Sequence, residues 1–512
     1  MSKKRGIFGV AGPRVLYFFD GRDSWSSDDD SDSDFEVTPG EAEKLDIKIH
    51  KKRIKKCKER INGVAEKDVY GKSKLKKMNK EWTSSVSTKK GHGSRICLQN
   101  LPPEVLVHIF KFVVKDDNVL PTLCRFSKMC QNFYVAASHP SLWKKVDLSF
   151  GWIKSSLDTL KWLVKHRLTQ VEELNLGSWD QLKDEGIQIV TESCPTLTSL
   201  ILFRCKKLTY RSLTLIADNC TKLSALDLSF ASGNVLNPPT LRYFIEKRGA
   251  NLESLTLSGN KLGSFQKTLS SLKDHCPNLR SLDISGCSFF ENQNNMTFPI
   301  EDLQIAWPKL QILRLNCIEC RVPPTTLERQ AMSPGFPELE ELSLASRVNL
   351  QAYNSYGAND EFLSRLLKTS HKLKYLDIRN CRRLSKNALE NIPAGNLQHL
   401  FMSRCTISEH GGLCRTIEKW QHSLVQLDIS WIRDPSMEME QAMTELAKHG
   451  DQSTLSIIDL SGSPVEMNSV RLLLQGCPSL NRVDLSSCRS ISRGFKRLYE
   501  GKELDELRDN IS

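Results

Sequence analysis

Leucines and isoleucines return along most of the chain in one spacing, apolar-x-x-apolar-x-apolar, closed three residues later by a cysteine. The stretch CPNLRSLDISGC (276 to 287) shows it with Leu279, Leu282, Ile284 and Cys287. The same frame recurs in CPTLTSLILFRC (194 to 205), HKLKYLDIRNC (371 to 381), GNLQHLFMSRC (395 to 405) and CPSLNRVDLSSC (477 to 488). Looser copies begin at Val171, Leu223, Leu252, Leu310, Leu339, Leu424 and Leu455. From Val171 to Leu480 the twelve copies keep a mean period of about 28 residues, the mark of a solenoid. Leu282 and Ile284 are two apart, so a strand puts both on one face and Asp283 on the other, wet one. Each strand is followed by helical spacing, as in Leu213, Ile216 and Ala217 or Val470, Leu473 and Leu474. Neither element buries its apolar side alone. Stacked copies predict an α/β solenoid with parallel strands on the concave face and helices outside, which matches the leucine-rich-repeat period.

The cysteines fall into two slots of this frame. Cys205, Cys287, Cys381, Cys405 and Cys488 stand three residues after the second strand apolar, where Asn260 stands in another copy. The chain turns inward there, so a small side chain with a weak donor fits. Cys194, Cys220, Cys276 and Cys477 precede the strand, three of them followed by a proline that ends the preceding helix (Pro195, Pro277, Pro478). Register thus accounts for nine of the sixteen cysteines, which weakens any catalytic or metal-binding reading of them. Cys317 and Cys320 form a C-x-x-C, but no second pair lies at a zinc-finger distance and Cys317 follows a strand, so the expectation is no metal and no cofactor. There is no Gly-rich phosphate loop and no H-E-x-x-H.

With 512 residues and 39% hydrophobic content, the chain has room for more than one domain. No apolar run reaches the 18 or so residues of a membrane span. The run VLYFF (15 to 19) is shorter than a signal-peptide core, so the thiols are expected reduced, in nucleus or cytoplasm. Charge marks a boundary. Residues 20 to 43 carry ten acids and one base, and residues 44 to 95 carry eighteen bases and five acids, including HKKRIKK (50 to 56) and KSKLKKMNK (72 to 80). With few periodic apolars, residues 1–95 read as a disordered acidic and basic tail. Its basic runs suit either a solubilising spacer or a nuclear import signal, and Ser26, Ser27, Ser31 and Ser33 each precede an acid by three, as acidophilic kinase sites do. The formal net charge of +12 raises nucleic acid as a partner, yet +8 of it lies in residues 1–95, leaving +4 for the other 417. Nucleic-acid binding is therefore not expected of the folded part; any would be through the tail, non-specific and salt-dependent.

Residues 96 to 149 form a separate short module. Pro102 and Pro103 can start a helix, Glu104 suits its positive end, and Leu106, Ile109, Phe110 and Val113 have the spacing of one apolar stripe. Asp116, Asp117 and Asn118 end it. Leu120, Leu123, Cys124 and Phe126 make a second series, and Met129, Cys130, Phe133, Tyr134 and Ala136 a third, before Leu142 and Trp143.

The run L-P-x-E-x-L-x-x-I-F (101 to 110), then C-x-x-F-Y-x-x-A (130 to 137) and P-S-L-W (140 to 143), resembles an F-box. An F-box leading into cysteine-containing repeats resembles the F-box/leucine-rich-repeat proteins over about residues 96 to 512. Phe133 departs from the family, which usually has tryptophan there. The domain reading is a tail at 1–95, a three-helix F-box at 96–146 and a solenoid of about twelve repeats at 147–512. The resemblance implies a non-catalytic substrate receptor of a ubiquitin ligase, docked on the Skp1 adaptor and through it on a cullin-RING scaffold, with an unknown protein substrate on the repeats. A lysine held near the charged conjugating enzyme then reacts by proximity. A scaffold outside any ligase is the alternative.

Adaptor contacts implied by the resemblance are Leu101, Pro102, Glu104, Leu106, Ile109, Phe110, Cys130, Phe133 and Trp143, although the apolar ones could instead pack the module internally. For the substrate, the informative positions are aromatics and arginines at the strands and just beyond them: Phe203, Arg204 and Phe230 in one cluster, Arg379, Phe401, Arg404 and Trp431 in another. Such residues on a rigid surface make binding hot spots. Alternatively, the aromatics fold back over neighbouring repeats. Asp227, Asp283, Asp377, Asp428, Asp459 and Asp484 share the position between the strand apolars and read as structural.

Overall fold

The computed structural model describes residue 98 and residues 101–512, apart from 117–118, 152, 232–233, 291–295, 319–320, 348–357, 407–411, 433–435 and 512. The expectations for the tail, its kinase sites and its basic runs fall outside the described residues, as does Cys320.

Three helices open the described chain: α1 (Pro103–Asp116), α2 (Val119–Phe126) and α3 (Gln131–Ala137). A single sheet follows. Its strands run β1 (Lys145–Asp147), β2 (Glu173–Asn175), β3 (Ser199–Ile201), β4 (Ala225–Asp227), β5 (Ser254–Thr256), β6 (Ser281–Asp283), β7 (Ile312–Arg314), β8 (Glu341–Ser343), β9 (Tyr375–Asp377), β10 (His399–Phe401), β11 (Gln426–Asp428), β12 (Ile457–Asp459), β13 (Arg482–Asp484) and β14 (Leu498–Glu500), and they pair in that order. The first thirteen are parallel, and the register pairs equivalent positions: Leu282 lies between Leu255 and Leu313, and Leu427 between Leu400 and Ile458. Most turns of the solenoid carry a helix between strands, with apolar residues such as Leu213 and Ile216 or Val470 and Leu473 buried against the strands.

Two strands were not legible as repeats. β1 begins at Lys145, two residues after Trp143, so the solenoid starts where the helical module closes. β14 runs antiparallel to β13 and leads into the helix Lys502–Ile511, whose Leu504 and Leu507 are buried. An open sheet edge invites pairing with another chain, and this hairpin and helix cover it.

The cysteine slot has one physical role along the solenoid. The Sγ of Cys205 donates to the Leu176 carbonyl at 3.3 Å, Cys287 to Leu257 at 3.1 Å, Cys381 to Leu344 at 3.3 Å, Cys405 to Ile378 at 3.0 Å and Cys488 to Leu460 at 3.1 Å. Asn260 Nδ2 makes the equivalent bond to Leu228 at 2.8 Å, and Ser463 Oγ to Ile429 at 2.8 Å. Each donor satisfies the carbonyl of the second strand apolar one repeat back. Cys194, Cys220, Cys276 and Cys477 cap helix C-termini. Burial pushes the thiols of Cys194, Cys205 and Cys276 up to about 12, so they are poor nucleophiles at neutral pH.

The column between the strand apolars is less wet than its alternation implies. Asp283, Asp377, Asp428 and Asp484 are buried, because the register places the same column side by side in neighbouring strands. Asp227, Asp283, Asp428, Asp459 and Asp484 each accept a hydrogen bond from the backbone N–H of the serine two residues on. That fixes the turn after the strand, the structural role expected of them.

Candidate functional sites

The helical module is built around Leu106, Phe110, Leu120, Leu123, Phe133, Leu142 and Trp143, all buried. Phe110 packs edge-on to Phe133 with centroids 5.2 Å apart and lies 4.5 Å from Phe126. Trp143 Nε1 donates to the Ala137 carbonyl at 2.9 Å. Four of the nine expected adaptor residues, Leu106, Phe110, Phe133 and Trp143, therefore face inward and support the module. In so small a unit the largest side chains are needed to make a core at all. Leu101, Ile109 and Cys130 are half-buried, and Pro102 and Glu104 are exposed.

The face that α1 turns outward is also apolar. Val105 is 43% exposed and Phe112 69%, with Val113 beside them, and the His108 ring packs edge-on against Phe112 at 5.7 Å. Val105, Ile109 and Phe112 are spaced i, i+4, i+7 and so share one stripe, while Leu106, Val107 and Phe110 occupy the other side. This second stripe was readable in the sequence but was masked by the first. Met129 and Val135 are also exposed. Large apolar side chains this open on a small module mark a contact surface.

A third feature ties the module to the solenoid. Arg167, just after the helix Leu157–His166, is 9% exposed, and its guanidinium lies 5.5 Å from the Tyr134 ring, 5.8 Å from Trp143 and 5.4 Å from Trp162. Two of these rings belong to the module and one to the first solenoid helix, so one cation sits among aromatics from both sides of the joint.

The substrate candidates separate by depth. Phe401 is 8% exposed: Tyr375 on the neighbouring strand stacks at 5.1 Å, and Arg379 lies over its ring at 5.5 Å. Arg379 itself is held by Asp377 through bonds of 2.9 and 2.8 Å. Strand register explains this, since position 401 lies beside Asp377 and Asp428, with Tyr375 two residues back along β9 and so on the same face as Asp377. Phe401 is thus wall more than open surface. Phe203 and Phe230 meet edge-on at 6.0 Å with Arg204 over both rings.

Arg204, Phe230, Arg404 and Trp431 have positive φ, between 51° and 57°. They occupy the residue before the cysteine slot, where other repeats use Gly259, Gly286 and Gly462. A side chain at this left-handed position costs about 1 kcal/mol. Phe230 and Trp431 then lie over the next repeat's glycine, Gly259 and Gly462, where a Cβ would enter the ring. The fold-back alternative therefore holds for these two aromatics, but Trp431 keeps 44% exposure, with Arg404 over its ring at 5.2 Å. Among the described residues no group of three or more His, Cys, Asp or Glu is placed to hold a metal ion, and no helix is long and apolar enough to cross a membrane.

Comparison with known proteins gives two family matches: the F-box-like family over residues 98–149, and the leucine rich repeat over residues 275–290. The DNA repair protein rhp7 of Schizosaccharomyces pombe is 27% identical over 121 residues, which are 24% of this chain and 21% of that one, so the chain matches about a fifth of that relative's length. Among solved structures, the Rad7 and Elc1 complex from yeast aligns over 83% of this chain and 89% of that chain, at 17% identity and a TM-score of 0.46. The functional domain of InlJ from Listeria monocytogenes aligns over 64% and 56%, at 15% identity and a TM-score of 0.35.

Proposed function

With an F-box-like segment leading into leucine-rich repeats, the chain belongs to the F-box/leucine-rich-repeat family, and from that premise we propose that it is a substrate-recognition subunit of an SCF-type ubiquitin ligase. The observation that carries this is the outward apolar stripe of α1, which a free module has no structural reason to keep. In this reading Val105, Ile109 and Phe112, with Pro102 and Leu101, meet the Skp1 adaptor, and the adaptor joins the chain to a cullin-RING scaffold. The buried Leu106, Phe110, Phe133 and Trp143 hold that surface in shape. The solenoid holds a protein substrate, with Trp431 as its most open contact, Phe203, Arg204, Phe230, Arg379 and Arg404 half-buried on the same surface, and Phe401 packed beneath it.

Chemistry in this reading is by proximity: the chain supplies no reacting group, and a substrate lysine is kept near the conjugating enzyme at high effective concentration. The aromatic-held Arg167 joint fits that task, because a fixed angle between module and solenoid sets where the lysine lies. The basic runs at 50–80 would direct the protein to the nucleus as well as the cytoplasm; deleting them should lower the nuclear fraction, and an unchanged fraction would make them spacer.

The test is capture of purified Skp1. Burying one such apolar side chain contributes about 1.5–3 kcal/mol, so Val105→Asp with Phe112→Asp should weaken capture at least about a hundredfold while thermal stability changes little. Full capture by that variant would refute this adaptor surface, and no capture by the unaltered chain would remove the ligase assignment and leave an interaction scaffold.

A further inference from the structure

The aspartate column of the strands is interrupted at β5, where Thr256 stands between Asp227 on β4 and Asp283 on β6. Two residues earlier on the same face, the register sets Ala225, Ser254 and Ser281 side by side. No side chain in that row is longer than that of serine, and all three are half-buried, so a shallow trough runs across three adjacent strands.

The interruption leaves hydrogen-bonding groups uncommitted. Ser229 donates its N–H and its hydroxyl to Asp227, the carboxylate two residues before it. Ser258 holds the same place after β5 and is 3% exposed; with Thr256 where an aspartate would be, its Oγ has no hydrogen-bond partner. Asp227 gives one oxygen to Ser229 and forms no ion pair among the described residues. Asp283 accepts the Ser285 N–H at 2.9 Å through Oδ1, while its Oδ2 lies 3.8 Å from the Arg314 guanidinium, which Glu341 holds at 2.5 and 3.0 Å. Elsewhere the column's charge is met from within, as where Arg379 bonds Asp377 at 2.9 and 2.8 Å. Beside the trough, Arg280 pairs with Glu253 at 3.4 Å, and the nearby segments outside the described residues, 232–233 and 291–295, contain no Lys or Arg. Burial holds both carboxyls above the usual carboxylate range.

We infer that this trough takes an arginine side chain of the substrate, its guanidinium between Asp227 and Asp283 and over Thr256. The inference rests on the receptor reading and names a side chain that the receptor selects. Neighbouring strands lie about 4.8 Å apart, so the two aspartates flank a gap of roughly 10 Å between backbones. A planar guanidinium with five donors can bond a carboxylate on either side and the Thr256 hydroxyl together. Ser258, two residues on along the same face, adds its uncommitted hydroxyl. A lysine ammonium is a single compact point of charge and bridges two separated carboxylates less well. A metal ion fits less well again, since among the described residues no three His, Cys, Asp or Glu side chains converge. Phe203 and Phe230, whose rings meet at 6.0 Å just beyond the strands, give apolar surface to the residues flanking the arginine.

The test pans a phage-displayed library of random dodecapeptides on the full chain, with and without Skp1, and measures the selected peptides by fluorescence anisotropy. Selected sequences should carry an arginine whose replacement by alanine weakens binding at least about thirtyfold. Asp227→Asn/Asp283→Asn keeps acceptors for Ser229 and Ser285 and should weaken binding as much, with thermal unfolding checking the fold. Thr256→Lys places an ammonium in the trough from within and should block the same peptides while both carboxylates remain. Asp459→Asn/Asp484→Asn, an equal charge change farther along the column, should leave them bound. Peptides selected without arginine, peptides that bind the trough variants as well as the unaltered chain, or an equal loss in the Asp459→Asn/Asp484→Asn control would overturn the inference. Skp1 retention on the same samples separates the two readings. A chain that selects arginine peptides through the trough but holds no Skp1 loses the receptor role and keeps the trough. A chain that holds Skp1 and selects peptides indifferent to the trough variants does the reverse.

Discussion

Asp428 offers the sharpest quantitative test of the strand-column geometry. Its carboxylate is buried on β11, with Asp459 on the next strand raising its pKa further and the Ser430 bonds and Arg379 offsetting part of the cost; the net result is a pKa pushed up to about 6. In the unfolded chain it should titrate near 3.9. The folded state therefore binds more protons between pH 4 and 6. The carboxyl's stabilising contribution is fully present below about pH 4 and is lost as pH rises through 6. A difference of about two pKa units corresponds to about 3 kcal/mol.

Asp428→Asn keeps an oxygen to accept the Ser430 N–H and hydroxyl but carries no charge. Set against the wild type, it should gain about 2 kcal/mol in stability on going from pH 4 to pH 7.5. Urea unfolding of both proteins across that range reads the difference directly, and contributions from other carboxyls largely cancel. A difference that is flat with pH, or a variant less stable relative to wild type at pH 7.5 than at pH 4, would refute the burial argument.

Phe401→Ala should cost about 3 kcal/mol because it empties a packed site beside Tyr375 and Arg379. Trp431→Ala should cost less than half of that by urea unfolding while lowering substrate capture, so equal costs would contradict the assigned depths. Arg365 and Glu301, both about 5% exposed, form a bidentate pair of 2.8 and 2.7 Å on the helix side of the solenoid. Glu301→Gln, which removes the buried carboxylate partner of the guanidinium and leaves it only the exposed Glu361 at 2.8 Å, should destabilise by up to about 3 kcal/mol. Replacing both residues with Met should recover part of that loss; a double variant no better than the single would show that shape, not charge, matters there.

The sequence carried the solenoid well because Leu-x-Leu alternation and the cysteine slot are local signals that each repeat restates. It carried less of what depends on neighbours. The burial of Phe401 comes from Tyr375, 26 residues earlier, and is visible only once register is known. Arg204 and Trp431 share a left-handed position with Gly259 and Gly462, a correspondence that repeat alignment could have exposed. On α1 both faces are apolar, so the spacing of Leu106, Ile109, Phe110 and Val113 pointed to a stripe without saying which side meets the core. The closing strand β14 repeats nothing and gave no signal.

In the proposed function, one face of this chain holds a ligase scaffold while another holds the protein to be modified. Quantitative mapping of ubiquitin-remnant lysines in cells tests both faces at once, comparing wild type with Val105→Asp/Phe112→Asp and with Trp431→Ala. The two variants should lose modification on an overlapping set of proteins, the first through loss of Skp1 and the second with Skp1 still bound. Lysine sites that persist unchanged in the Val105→Asp/Phe112→Asp cells, with Skp1 absent from the chain, would contradict it.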